Sequence, residues 1–235
     1  IKLSTFHLPD VAVTIKRLLK KDWLTKWKKE FKPFFLTKNI GVVPMWLKGK
    51  YVFRKHKPIY IDTNVAFGTG LHATTRLLAQ LVERCQGHFK SFLDVGTGTG
   101  ILAMVASKCN AADVTAIDVS SECIKVARSN FYENECSFIK TKTADAHKIK
   151  IKRQYDFVCA NITTQDLIRM AGKLCGLVKP EKYLAVSGIS VCNYDAFRNA
   201  YVQYPLRCVK ITKGEDWMAI LFRKYHENLN SIVIP

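Results

Sequence analysis

"LDVGTGTGILA", residues 93–103, carries the reading of the whole chain. "SFLDVG" has the apolar character of a buried strand and "GILAMVASKC" the spacing of a helix. Between them Gly96, Gly98 and Gly100 follow Asp94, separated by threonines. Glycines lack Cβ atoms, so a ligand can lie directly against the main chain. A dinucleotide fingerprint calls for glycine at 101, where Ile101 stands. The loop therefore reads as a nucleoside cradle with no pyrophosphate to clamp.

Outward from this loop, strands and helices alternate. "TTRLLAQLVERC" precedes it as a helix. After it come the strand "DVTAID", the helix "SSECIKVARSNFYEN" and the strand "CSFIKTK". The strand "YDFVCANI", the helix "TQDLIRMAGKLCGLV", the strand "KYLAVSG" and the helix "YDAFRNAYVQY" follow. "RCVKIT" and "WMAILFR" leave no room for a crossover helix, so they form an antiparallel hairpin at the sheet edge. This order specifies an α/β fold, a seven-stranded, doubly wound, Rossmann-like sheet with an antiparallel edge hairpin. Upstream, "DWLTKWKKEF" (22–31) reads as a short helix capped by Asp22 and ended by Lys32-Pro33. "IGVVPMW" and "KPIYIDTN" read as short extended pieces. The organisation expected is a partial recognition region at 1–21 and a basic linker helix with short strands at 22–62. The main domain follows at 63–224, and a loosely attached tail at 225–235.

Composition narrows the class. Of 235 residues, 48% are hydrophobic, enough for one large domain or one domain with an appendage. No apolar run approaches the roughly 18 residues of a membrane span. The eight cysteines stand singly with no C-x-x-C pair, which argues against a zinc ribbon or a redox motif and for a reducing, cytoplasmic setting. None of the six histidines has ligand spacing, so no metal is expected. The chain opens Ile1-Lys2 with neither methionine nor signal-peptide pattern, which reads as a partial N-terminus. The net charge is +18, and residues 16–57 hold +12 of it, fourteen Lys/Arg against two acids. That asymmetry points to a polyanion near 16–57, most plausibly RNA or a ribonucleoprotein; the alternative is a solvated face. No aromatic RNA-binding signature accompanies the charge.

The spacing Asp94-x-Gly96-x-Gly98-x-Gly100 is that of methyltransferases using S-adenosyl-L-methionine. Asp118 ends the next strand, where a carboxylate can accept both ribose hydroxyls; capping the helix "SSE" is the alternative. Asp145, in "TADAH", sits where such enzymes hold the adenine amino group, or is a plain turn aspartate. Ligands of open α/β sheets lie beyond the carboxyl ends of the strands, which puts Asn161 of "CANITT" over the methyl donor. Its side-chain carbonyl can accept from an incoming amine, and the Ile162 region can add a backbone carbonyl. The alternative for Asn161 is to cap the following helix.

With these residues in place, the chain resembles the bacterial methyltransferases of large-subunit ribosomal protein eleven. The resemblance rests on "DWLTKWKKEFKP", "VVPMW", "AFGTGLHATTRL", "LDVGTGTGILA", "AIDVSSECIKVARSN", "DFVCANI", "LAVSGI" and "GEDWMAI", across residues 22–224. It implies methyl transfer from S-adenosyl-L-methionine to lysine side chains and the N-terminal amine of that ribosomal protein. It implies cofactor contact at Thr75, Gly96, Asp118 and Asn161, and puts Phe67 and the 66–72 loop at the methionine end. It also implies an N-terminal recognition domain, for which the residues before Trp23 are too few. The family usually has Cys and Ser where Thr97 and Thr99 stand, and Gly-Gly where "KPEKYL" runs, substitutions expected to be tolerated.

A lysine ammonium has no lone pair, and with a pKa of about 10.4 only a few parts in ten thousand are neutral at pH 7. Deprotonation to water, with Asn161 orienting the amine, is the expected route. His72 is the one candidate base near the first loop, or a hydrogen-bonded loop histidine. A ribosomal RNA base methyltransferase is the competing function, but "ANIT" replaces the Asn/Asp-Pro-Pro-aromatic pattern of many base methylators. A non-catalytic cofactor-binding ribosome factor is the third. "AFGTGLHATTRL" reads as a flap over the methionine end, or as a plain connector.

Overall fold

The computed structural model describes residues 31–225, apart from 52, 63–67, 149 and 151. The expected helix 22–31 lies outside these residues except for Phe31, and the tail except for Tyr225. Apart from Phe31 and Lys32, all of them belong to the unit Pro33–Pro235. The sequence reading starts the main domain at 63, whereas this unit also takes in 33–62.

A small sheet comes first. Strand β1 (Phe34–Phe35) pairs antiparallel with β2 (Ile40–Pro44), which pairs in parallel with β3 (Lys57–Ile61). The two extended pieces read from sequence are β2 and β3. Helix α1 (Ala73–Arg84) then leads into the large sheet.

The large sheet uses β4 (Ser91–Val95), β5 (Asp113–Asp118), β6 (Lys140–Thr143), β7 (Tyr155–Asn161) and β8 (Val178–Ser190) as parallel strands. β9 (Leu206–Gly214) and β10 (Trp217–Lys224) complete the order β6-β5-β4-β7-β8-β10-β9. β10 runs antiparallel to both β8 and β9. The expected edge hairpin is present, and its second strand occupies the inner position. Helices α2 (Ile101–Lys108), α3 (Ser121–Glu133), α4 (Thr164–Leu177) and α5 (Tyr194–Tyr201) fill the crossovers.

The central strands are apolar on both faces because helices cover both. Leu93, Val95, Val158, Ala160, Leu184 and Val186 pack with α4 and α5, and the alternate residues Phe92, Asp94, Phe157 and Cys159 face the other way. Cap residues set the helix starts. Ser120 Oγ accepts from Cys123 N at 3.3 Å, and Thr163 Oγ1 accepts from Asp166 N at 3.2 Å. Within β8, Glu181 takes φ +61° and its carboxylate pairs with Arg223 at 2.9 Å. No helix among the described residues is long and apolar enough to cross a membrane.

Two asparagines one turn apart on α3 tie the small sheet to the large one. Asn134 Oδ1 accepts from Tyr60 N at 2.7 Å, and its Nδ2 donates to Tyr60 O at 2.6 Å. Asn130 Oδ1 accepts from Asp62 N at 2.9 Å, and its Nδ2 donates to Thr99 O in the glycine loop at 2.9 Å. Both side chains extend the β3 backbone as a neighbouring strand would, which is why 33–62 is built onto the sheet domain.

Candidate active site

The strand order reverses between β4 and β7, because the chain builds β4, β5 and β6 outward and returns on the far side of β4. Such a switch point opens a crevice at the carboxyl ends of the strands. The glycine loop fills its floor. Gly96 N and Thr97 N both donate to Ile117 O, at 2.9 and 3.0 Å, so the loop stays hydrogen-bonded to β5. Gly96 holds φ +73°, and a Cβ there would lie 2.6 Å from Ile162 Cγ2. Its bare backbone forms part of the cavity wall.

That cavity has a volume of about 430 Å³ and is bounded by Gly96, Gly98, Asp118, Asp145, Asn161 and Ile162, among others. Five of the residues read as cofactor contacts are therefore brought together. Asp118 accepts from Gly98 N on Oδ2 and from Ser120 N on Oδ1, each at 2.9 Å. The helix cap is Ser120, so the alternative role read for Asp118 falls to its neighbour. Each Asp118 oxygen retains a lone pair for a ribose hydroxyl. Asp145 accepts from His147 N at 2.9 Å through Oδ1, a turn role held while it lines the cavity.

Asn161 ends β7 and lines a second cavity as well, of about 570 Å³, with His72, Thr164, Gly188 and Trp217. Its Nδ2 donates to Thr75 Oγ1 at 3.2 Å, joining two residues 86 positions apart. That bond turns the amide oxygen into the remaining acceptor. Asn161 and Ile162 are the residues common to both cavities, one bounded by the glycine loop and Asp118, the other by His72 and Trp217. The helix after β7 is capped by Thr163 rather than by Asn161.

His72 caps α1: its Nδ1 accepts from Thr74 N at 3.3 Å and meets Thr74 Oγ1 at 2.8 Å. Its ring meets Trp217 edge-on with centroids 5.3 Å apart. The loop-histidine reading thus has a partner for Nδ1. Phe67 lies outside the described residues. The described part of the 66–72 loop is held by side chains: Thr99 Oγ1 donates to Gly68 O at 2.6 Å, and Arg76 Nε to Gly70 O at 3.4 Å. The threonines that depart from the family pattern both use their hydroxyls, since Thr97 Oγ1 donates to Asp94 Oδ2 at 2.7 Å.

Asp94 is fully buried. Burial pushes its carboxyl up to about 7, although hydrogen bonds from Thr97 and Ala103 act in the lowering direction. Its Oδ1 has no hydrogen-bond partner among the described residues. No group of three His, Cys, Asp or Glu side chains able to hold a metal occurs among the described residues.

Gly188 was not read as a site residue. It has φ +92°, and a Cβ there would lie 1.9 Å from Ile162 O. Its absent side chain lets the Asn161–Ile162 backbone sit against β8. Asn130 was also missed; two asparagines four apart on the buried side of an amphipathic helix are the signal that could have found it.

A family model for ribosomal protein L11 methyltransferase matches residues 1–225. The ribosomal protein L11 methyltransferase of Geobacter metallireducens is 34% identical over 217 residues, covering 89% of this chain and 69% of its own length. That of Bacillus subtilis is 31% identical over 212 residues, covering 90% of this chain and 68% of its own. Among solved structures, the ribosomal protein L11 methylase of Lactobacillus delbrueckii subsp. bulgaricus matches with a TM-score of 0.77 at 26% identity, over 83% of this chain and 100% of that one. The N-methyltransferase NodS of Bradyrhizobium japonicum, complexed with S-adenosyl-L-homocysteine, shares the fold with a TM-score of 0.54 at 14% identity, over 66% of this chain and 89% of that one.

Proposed function

The chain belongs to the ribosomal protein L11 methyltransferase family, and from that premise we propose that it transfers methyl groups from S-adenosyl-L-methionine to amino groups of ribosomal protein L11. One observation carries the reading: Asn161 stands in the wall shared by the cavity beside Gly96 and Asp118, in this reading the nucleoside chamber, and the cavity beside His72 and Trp217. A donor in one and an amine in the other meet at that residue.

The residues present fit the cofactor. Gly96 supplies bare backbone, Asp118 two acceptor oxygens for ribose hydroxyls, and Asp145 an acceptor for the adenine amine. Thr75 is buried and lines neither cavity; its hydroxyl accepts from Asn161 Nδ2, and in this reading it supports the methionine end from behind that residue. When bound, the cofactor supplies a methyl group on a sulfonium.

The chain's own part is positioning. Thr75 holds the Asn161 amide so that its oxygen can accept an N–H of the incoming amine. The accepted hydrogen bond turns the nitrogen lone pair away from Asn161 and toward the nucleoside chamber. The positive charge of a bound donor beside the second cavity would disfavour the ammonium form, so the amine's proton leaves to water before transfer. His72, whose Nδ1 is engaged in the α1 cap, is given no proton-transfer role.

In this reading residues 63–224 form the catalytic domain, 22–62 a basic linker with the short strands, and 1–21 part of a recognition region. Substrate amines are lysine side chains and the N-terminus, and a ribosomal substrate places the reaction in the cytoplasm. The basic stretch 16–57 is the part of the chain suited to ribosomal RNA.

Tritiated cofactor tests the proposal, with purified L11 and with ribosomes from a strain lacking the enzyme. Label in amino groups of the protein is expected, and Asn161→Ala should abolish it; an Asn161→Ala protein with both full cofactor affinity and full turnover overturns the role given to Asn161. Label in RNA alone overturns the assignment.

A further inference from the structure

Four aromatic rings gather on the small sheet from two separate stretches of chain. Phe35 ends β1, while Tyr51, Phe53 and His56 come from the loop between β2 and β3. Phe53 is the hub, with ring centroids 5.1 Å from Phe35, 5.1 Å from Tyr51 and 5.7 Å from His56. Phe35 and His56 close the group at 4.3 Å. The hub is held by a missing side chain beneath it: a Cβ on Gly41 of β2 would lie 2.1 Å from Phe53 Cε2.

The outer rings are open to solvent. Phe35 is 57% exposed and Tyr51 39%. Phe35 and Phe53 meet at 41°, Tyr51 and Phe53 at 80° and Phe35 and His56 at 34°, so none of these pairs is a parallel stack, although His56 covers part of one side of Phe35. Exposed cations are interleaved with them. Lys50 precedes Tyr51, and Arg54 and Lys55 separate Phe53 from His56; none of the three makes an ion pair among the described residues. Residues 31–58 contain seven Lys/Arg and no Asp or Glu.

We propose that this face binds single-stranded RNA, with unstacked bases on Phe35 and Tyr51 and phosphates on Lys50, Arg54 and Lys55. Open rings beside unpaired cations are what a single strand requires, because every base has a π-face and every linkage a charge. A duplex keeps its bases stacked and would leave the rings unused. An acidic protein surface would use the cations alone. The inference deepens the reading of 16–57 as an RNA contact and does not depend on methyl transfer.

The test is fluorescence anisotropy of a labelled dodecauridylate with the full chain at several salt concentrations. Two variants are compared, Phe35→Ala/Tyr51→Ala and Lys50→Gln/Arg54→Gln/Lys55→Gln, each checked by circular dichroism. The ring variant should bind at least tenfold more weakly at an unchanged salt slope. The charge variant should lower the slope by about 2. Phe35→Trp should restore binding in the Tyr51-intact background relative to Phe35→Ala. RNA binding that ignores the ring variant overturns the platform while leaving an RNA contact elsewhere in 16–57. No binding by the unmodified chain overturns both. Equal displacement by polyglutamate with no ring dependence assigns the face to an acidic protein. A concentration-dependent dimer that the ring variant abolishes assigns it to a second copy. Transfer to purified L11 is measured in parallel and should be unchanged in the ring variant.

Discussion

Gly188→Ala is the sharpest perturbation the site offers. A Cβ at 188 would lie 1.9 Å from Ile162 O, where ordinary contact begins at 3.4 Å, so the two backbones must part by about 1.5 Å. β8 cannot yield easily, since it is paired with β7 on one side and β10 on the other, and Ser187 Oγ donates to Met218 O at 2.8 Å. The segment Asn161–Ile162 therefore moves, and with it the acceptor between the two chambers. Displacements near 1 Å can cost on the order of 100-fold in rate. The residue's φ of +92° adds a backbone penalty of about 1–2 kcal/mol, and the overpacking about 1–3 kcal/mol. The expected result is a fall in kcat/KM of about 100-fold with stability lowered by roughly 3 kcal/mol, read by methyl-transfer kinetics and urea unfolding. Gly214→Ala is the control, because its new Cβ would meet only Leu77, at 3.6 Å or more. A Gly188→Ala enzyme with kcat/KM within about threefold of the parent would refute the placement of Asn161 and Ile162 at the reacting centre.

Asp118→Ala should weaken binding of S-adenosylhomocysteine roughly 10- to 100-fold by calorimetry, the loss of charge-assisted hydrogen bonds to the ribose. Asn130→Ala strands Thr99 O and Asp62 N, and urea unfolding should register about 2–4 kcal/mol. Asp156 is buried, which alone would raise its pKa, but hydrogen bonds from Lys179 and from the Ser91 and Lys90 amides outweigh this and hold it well below the carboxylate range. A depressed folded pKa contributes stability above the unfolded value of about 4 that is lost as pH falls. Asp156→Asn should therefore cost about 1–3 kcal/mol at pH 7 and progressively less below pH 4, in melts across pH. Glu181→Gly relieves φ +61° at the price of an exposed ion pair with Arg223, and should raise stability by about 1 kcal/mol in the same melts.

What the sequence disclosed was local. Asp94, Gly96, Gly98 and Asp118 declare themselves because loop, strand end and acid follow each other within one β-α-β unit. Asn161 could be placed because strand ends of an open sheet converge on the crevice. The Asn161–Thr75 bond, the Gly188–Ile162 approach and the asparagine clamp on β3 join residues far apart in sequence, and nothing in their own neighbourhoods signals the partner. The aromatic cluster escaped for the same reason: Phe35 is separated from the other three rings by all of β2. The strand read as "KYLAVSG" begins earlier in the structure: β8 emerges directly from α4 at Val178, and Glu181, at positive φ, absorbs the irregularity.

The inserted position of β10 also governs how the chain can be made. Among the described residues, β9 is hydrogen-bonded to β10 and to no other strand. While a ribosome is still adding residues 217–224, β9 has no neighbour to accept it, and β8 presents an open edge of the main sheet. Both edges are closed by the same strand, so the outer part of the sheet is complete only once β10 has been added between β8 and β9.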